Sequence, residues 1–135
     1  MLIQKRILIQ ILIGLILFFV LKDEVVNLIK TLHPDFIIHA STQMNLHNIE
    51  GIKWASEHNI KRVVLPREIE MNELKEILDY AHTLGIEIEI FAHGALCYSY
   101  SGHCLLSSMQ GGRSGNRGRC AQPCRLDFKS GGKSF

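Results

Sequence analysis

The residues best suited to chemistry are four cysteines, Cys97, Cys104, Cys120 and Cys124, all in the last third of the chain. Six residues lie between the first two, fifteen between the second and third, and three between the last two. Thiolates bind soft metals and iron–sulfur clusters, and four is the usual complement of a 4Fe–4S cluster. The spacing differs from that of a zinc ribbon, whose ligands come in pairs two residues apart, and from the ferredoxin run. Glycines between Gly94 and Gly118 would let the segment fold tightly round a cluster. Arg113, Arg117, Arg119 and Arg125 would offset its negative charge. Free thiols and two disulfides are the structural alternatives, and the spacing favours cluster or metal over both.

The same segment offers other chemistry. Arg113, Arg117, Arg119 and Arg125, with Asn116 and Gln122, could hold the phosphates of RNA. A solvated basic loop is the plain alternative, because no aromatic residue interleaves with these arginines. Ser107, Ser108, His93, His103 and Glu68 supply nucleophiles and bases for a peptidase. However, there is no nucleophile-elbow sequence and no His-Glu-x-x-His zinc motif. Cys97 stands four residues after His93 and could form a thiolate pair with it.

These residues need a scaffold, and the upstream sequence describes one. The 135 residues suffice for one domain or part of one. Apolar residues make up 47% and charged residues 21%, which excludes a low-complexity or disordered chain. The net charge of +2 conceals a split. Residues 1–90 carry 9 Lys/Arg against 12 Asp/Glu, whereas residues 91–135 carry 6 against Asp127 alone. Apolar spacing at Val25, Leu28, Ile29 and Leu32 predicts a helix, broken at Pro34. Residues 36–40 read as a strand that ends in Ser41, Thr42 and Gln43. A helix capped by Asn45 or Asn48 follows, with Ile49, Ile52 and Ala55 on one face. Residues 62–65 form the next strand, closed by Pro66 and followed by Arg67 and Glu68. Asn72 is placed to cap the third helix, with Leu74, Ile77, Leu78 and Ala81 inward and Gly85 as its stop. Ile86, Ile88 and Ile90 alternate with Glu87 and Glu89 as a strand that ends near His93.

This alternation predicts an α/β fold of parallel βα units, as in a β/α barrel or an open doubly wound sheet. No glycine-rich phosphate loop follows a strand, which argues against the dinucleotide-binding version. A full barrel needs eight units and roughly 250 residues, so the chain reads as a partial barrel. In parallel folds the carboxyl ends of the strands carry the site. Ser41, Thr42, Gln43, Arg67, Glu68 and His93 are therefore expected on one rim. Individually, each has an ordinary role as a helix cap, an ion-pair partner or a backbone hydrogen-bond partner.

The division is 1–30 as an apolar N-terminal segment, 31–128 as the β/α domain with its cysteine segment, and 129–135 as a flexible tail. Lys5 and Arg6 precede an apolar run over residues 7–21, short for a spanning helix and compatible with a signal peptide or a weak anchor. A cytoplasmic location is expected, which favours metal or catalysis over disulfides. Membrane anchoring through residues 7–21 is the alternative.

The stretch His93-Gly94-Ala95-Leu96-Cys97-Tyr98-Ser99-Tyr100-Ser101-Gly102-His103-Cys104-Leu105-Leu106-Ser107 resembles the signature of peptidase family U-32. Residues 112–125 resemble the block that follows it, and residues 41–45 and 62–68 resemble other blocks of the family. The resemblance covers roughly residues 33–128. It implies a β/α-barrel-like catalytic domain and a longer parent protein that supplies the missing C-terminal half of the barrel. Family members carry the label of collagenase-like peptidases, which implies a protein or peptide substrate. Other members are oxygen-independent hydroxylases of tRNA uridine, rRNA cytidine or ubiquinone precursors, with prephenate as hydroxyl donor and a 4Fe–4S cluster on cysteines. By resemblance, Cys97, Cys104 and Cys120 are cluster ligands, with the fourth supplied by Cys124 or, as in some relatives, by a position further downstream. His93, Arg67 and Glu68 are expected to be catalytic, and Ser41, Thr42, Gln43, Arg113, Asn116 and Arg117 to bind substrate. His103 stands where the family usually has Arg or Lys.

Overall fold

A computed structural model of the chain describes residues 23–134. The apolar run at 7–21, with its targeting or anchoring reading, lies outside the described residues. Within them, no helix is long and apolar enough to cross a membrane.

The elements follow one another as α1 (Asp23–Leu32), β1 (Ile38–Ala40), α2 (Ile49–Glu57), β2 (Ile60–Val64), α3 (Met71–Thr83) and β3 (Glu87–Glu89). A short α4 (Leu106–Gly111) and two 3-10 turns follow, and then β4 (Lys129–Ser130) and β5 (Lys133–Ser134). The three long-range strands form a parallel sheet in the order β1-β2-β3. The fold is thus α/β, as the alternation predicts.

Register divides the sheet into two chemically different faces. Ala40 lies beside Val63, and Val63 beside Ile88. This face meets the helices, whose buried Ile52, Ala55, Leu74, Ile77 and Ala81 share one core with Val26, Ile38 and Val63. Complete burial of a side chain such as Ile52, which has 0% exposure, contributes about 1.5–3 kcal/mol. The opposite face bears a polar row: His39 pairs with Arg62, and Arg62 with Glu87. Arg62 bonds the Glu87 carboxylate at 2.6 Å and reaches Glu89 at 3.3 Å. The bond from Arg62, followed by its charge, holds the Glu87 carboxyl below its ordinary value. Burial, followed by the Arg62 charge, lowers the His39 pKa.

Local signals start and stop the helices. The Asn48 side chain accepts the Gly51 N–H at 2.9 Å, which selects Asn48 over Asn45 as the cap of α2. Asn45 instead adopts a left-handed conformation after the 3-10 turn Thr42–Met44, with φ +55°. The N-cap of α3 is Glu70 rather than Asn72. Glu73 explains the earlier start, since its carboxylate accepts the Glu70 N–H at 3.0 Å.

The apolar stripes are narrower than the spacing predicts. Leu78 is 43% exposed, because α3 meets the core along Leu74, Ile77 and Ala81. Likewise α1 buries Val26, while Leu28 and Leu32 face outward. The C-terminal segment, read as a tail, pairs β4 with β5 around Gly131 and Gly132, both at positive φ.

Candidate active site

The site lies beyond the carboxyl ends of β1 and β2, where residues 95–125 fold back over them. Beyond β1, Ser41 is buried and accepts the Gln43 N–H at 3.3 Å, capping the 3-10 turn Thr42–Met44. Ser41 therefore serves the turn, while Thr42 and Gln43 face a cavity of about 550 Å³.

Beyond β2, Arg67 and Glu68 grip one residue of the cysteine segment. The Glu68 carboxylate accepts the Ser101 N–H at 2.8 Å. Arg67 donates to the Ser101 hydroxyl at 3.3 Å. Ser101 itself is 4% exposed. Desolvation pushes the Glu68 carboxyl up, but the bonds from Ser101 and from its own N–H, with the Arg67 charge, outweigh it and leave the pKa lowered. Glu68 thus acts as an anchor for the segment. Loss of this acceptor strands a buried N–H, so Glu68→Ala should destabilise the segment by about 1–3 kcal/mol. Denaturant melts of the variant check this, with faster reaction of Cys97 with a thiol reagent as a second readout. A carboxyl whose pKa is depressed by folding contributes its stabilisation above its unfolded pKa and loses it as pH falls through the folded one. The thiol reactivity of the wild type should therefore rise in acid, below the ordinary glutamate range, relative to unfolded chain at the same pH. Glu68→Ala should remove that rise.

Gly102 provides the second fastening. It has φ +79°, and a Cβ there would stand 2.8 Å from the Gln43 carbonyl oxygen. Backbone thus lies directly on backbone between the segment and the first strand end. Its carbonyl also accepts the Asn116 side-chain N–H at 3.3 Å. Ser107, buried at 3% exposure, accepts the Ala121 N–H at 3.0 Å and joins α4 to the Cys120 turn.

All four cysteines line the same 550 Å³ cavity, with Arg67 and Arg125 in its wall. None is in a disulfide. Cys120 Sγ accepts the Gln122 N–H at 3.3 Å, and Cys97 Sγ and Ser99 Oγ lie 3.6 Å apart. The Ser99 N–H, then its hydroxyl, with help from Arg67, lowers the Cys97 pKa against the opposing effect of desolvation. At Cys97 this favours thiolate, the ligating and nucleophilic form. The donor chemistry suits a thiolate-bound metal group, but the thiols do not form a closed ligand set. Among the described residues, no three His, Cys, Asp or Glu side chains are grouped to hold a metal ion.

The remaining sequence-predicted residues separate. His93 lines a smaller cavity of about 260 Å³, which shares Arg67, Ala95 and Leu96 with the larger one but is lined by none of the cysteines. Arg113 and Arg117 are exposed and lie outside the lining of the larger cavity, whereas Asn116 lines it. Sequence reading missed the fastening roles of Ser101 and Gly102. It also missed Tyr98 and Tyr100, which line the cavity.

In parallel βα sheets the carboxyl ends of the strands are where ligand sites lie, and the thiol- and arginine-lined cavity stands there. The chain belongs to peptidase family U32, whose model matches residues 17–134. It is 39% identical over 112 residues to "tRNA hydroxylation protein P" of Helicobacter pylori, covering 83% of this chain and 26% of that protein. It is 41% identical over 95 residues to "23S rRNA 5-hydroxycytidine C2501 synthase" of Escherichia coli, covering 70% of this chain and 14% of that protein. A "Collagenase" of Porphyromonas gingivalis is 41% identical over 99 residues, covering 67% of this chain and 24% of that protein. The chain thus spans about a quarter or less of the length of these relatives. No solved structure matches it.

Proposed function

We propose that the chain is the cysteine-bearing part of an oxygen-independent RNA hydroxylase that binds a 4Fe–4S cluster through Cys97, Cys104, Cys120 and Cys124. The observation that carries this reading is that all four cysteines, none in a disulfide, line one cavity at the strand ends. Backbone donors to Cys97 and Cys120 support it, since hydrogen bonds to sulfur tune such clusters. When bound, the cluster would supply redox chemistry beside the substrate. Relatives named for tRNA and rRNA hydroxylation supply the substrate class, and the surplus of cations in residues 91–135 suits a polyanion.

Prephenate is the proposed hydroxyl donor. It carries two carboxylates, and Arg67 and Arg125 in the cavity wall offer guanidinium groups that match carboxylate geometry. Thr42 and Gln43 would orient it from the β1 end. The three units are further read as an arc of a β/α barrel. Sequential strand order, with α2 and α3 sharing one core on one side of the sheet, supports closure over a doubly wound reversal.

A peptidase using the Cys97 thiolate is the second reading, favoured by its lowered pKa and by the relative named collagenase. Ser107 is a poor nucleophile for it, being buried and engaged with Ala121. The test supplies the full chain, loaded with iron and sulfide under argon, with tRNA or rRNA and prephenate, and reads nucleosides by mass. A one-oxygen increment that needs prephenate and not dioxygen is expected. Gelatin cleavage that is abolished by Cys97→Ser, with unmodified RNA, would overturn the hydroxylase reading.

A further inference from the structure

Tyr98 is 77% exposed although it lines the cavity of the four thiols. One side of its ring is taken by Arg125, whose guanidinium carbon lies 5.1 Å from the ring centroid. Arg125 is itself fixed by a 2.6 Å bond to the Leu96 carbonyl. The pair is therefore a pre-oriented cation–aromatic platform rather than two mobile side chains. A second ring, Tyr100, also lines the cavity and is held edge-on by His47 and tilted against His103. An exposed tyrosine backed by a guanidinium, at the mouth of a cavity in a cation-rich segment, matches the chemistry of an unpaired nucleobase with its phosphate. Bases stack on aromatic faces, and guanidinium groups add attraction for both ring and phosphate.

We infer that Tyr98, backed by Arg125, is the stacking platform on which an unpaired RNA base is held at the mouth of the cysteine cavity. This rests on RNA being the substrate. It adds that the target nucleotide must leave its stack, so loops and single strands bind and intact duplex does not. Reach explains the requirement, since a base within a helix cannot bring its edge into a cavity. Arg113, Arg117 and Arg119, exposed beyond the cavity, contribute phosphate contacts that are indifferent to pairing.

The test is binding of a fluorescently labelled single-stranded oligoribonucleotide to the full chain, beside the same sequence as a duplex, over a salt series. Wild type should bind the single strand more tightly than the duplex. Tyr98→Ala should weaken single-strand binding by roughly five- to a hundredfold, with an unchanged salt slope. Tyr98→Phe should restore it, since it keeps the ring. Arg113→Ala should instead reduce the salt slope by about one and affect both RNAs alike. Tyr98 is exposed, so circular dichroism of its variants should match wild type. Unchanged binding by Tyr98→Ala, with wild type still binding in a salt-dependent way, overturns the platform and leaves the RNA reading standing. Absence of RNA binding by wild type overturns both. Loss of gelatin binding in Tyr98→Ala, with RNA binding intact, assigns the platform to a protein ligand and overturns the inference.

Discussion

Replacing Gly102 by alanine should detach the cysteine segment from the strand ends. The residue has φ +79°, where an L side chain is strained. The added Cβ would stand 2.8 Å from the Gln43 carbonyl oxygen, a backbone atom that cannot rotate away. Strain of the left-handed conformation costs about 1–2 kcal/mol. The clash raises the total to about 3 kcal/mol or more, in the range of severe single substitutions. The outcome is then a protein whose sheet and helices persist while the segment 94–125 lifts from Gln43. Denaturant melts, with the reactivity of Cys97 and Cys104 toward a thiol reagent, would show it. Gly112→Ala is the control. It has φ +65° but open space around its Cβ, so it should cost only the left-handed strain of about 1–2 kcal/mol and leave thiol reactivity unchanged. Equal effects from the two variants would mean that Gly102 matters for its dihedral alone, and the close approach to Gln43 would lose its significance.

The second large effect concerns the ligand set. Cys104→Ser should reduce iron bound by the anaerobically prepared protein at least about tenfold, since loss of even an outer-shell partner costs 10–100-fold in affinity. Cys97→Ser and Cys120→Ser should do the same, because both sulfurs line the same cavity as Cys104. Cys124→Ser tests the fourth position, in the 3-10 turn Pro123–Arg125. Each thiol is only partly buried or exposed, so a serine disturbs little packing, and the melting curve of the iron-free protein should hardly move. An iron content unchanged in Cys104→Ser would remove that residue from the set.

The scaffold was legible because its signals are local. The apolar spacing of Leu74, Ile77 and Ala81 lies on one helix face and enters the core, whereas the alternation at 86–90 yields a strand over Glu87–Glu89 alone, shorter than the spacing predicts, with Ile90 exposed. The cap of α3 was misread for a related reason. Asn72 is the better capping residue type, but the reciprocal pair of Glu70 and Glu73 fixes the start two residues earlier.

The site was legible by residue type and not by partnership. Four cysteines announce thiol chemistry wherever they lie. That they share a cavity with Thr42 and Gln43 depends on a fold-back that no spacing encodes. Arg67 and Glu68 read as rim residues, yet their partner Ser101 lies more than thirty positions downstream. The stacking pair joins Tyr98 to Arg125 across the whole cysteine segment. Interactions of that range are set by packing.

The most direct test of the thiolate ligand set is to purify the chain under argon, quantify iron and sulfide, and record its visible spectrum. Near-equal iron and sulfide, at close to four of each per chain as a 4Fe–4S cluster requires, with a broad visible band, are the expected result. A colourless, iron-free protein that stays so after incubation with iron and sulfide, and whose four thiols all still react with a thiol reagent, would contradict it.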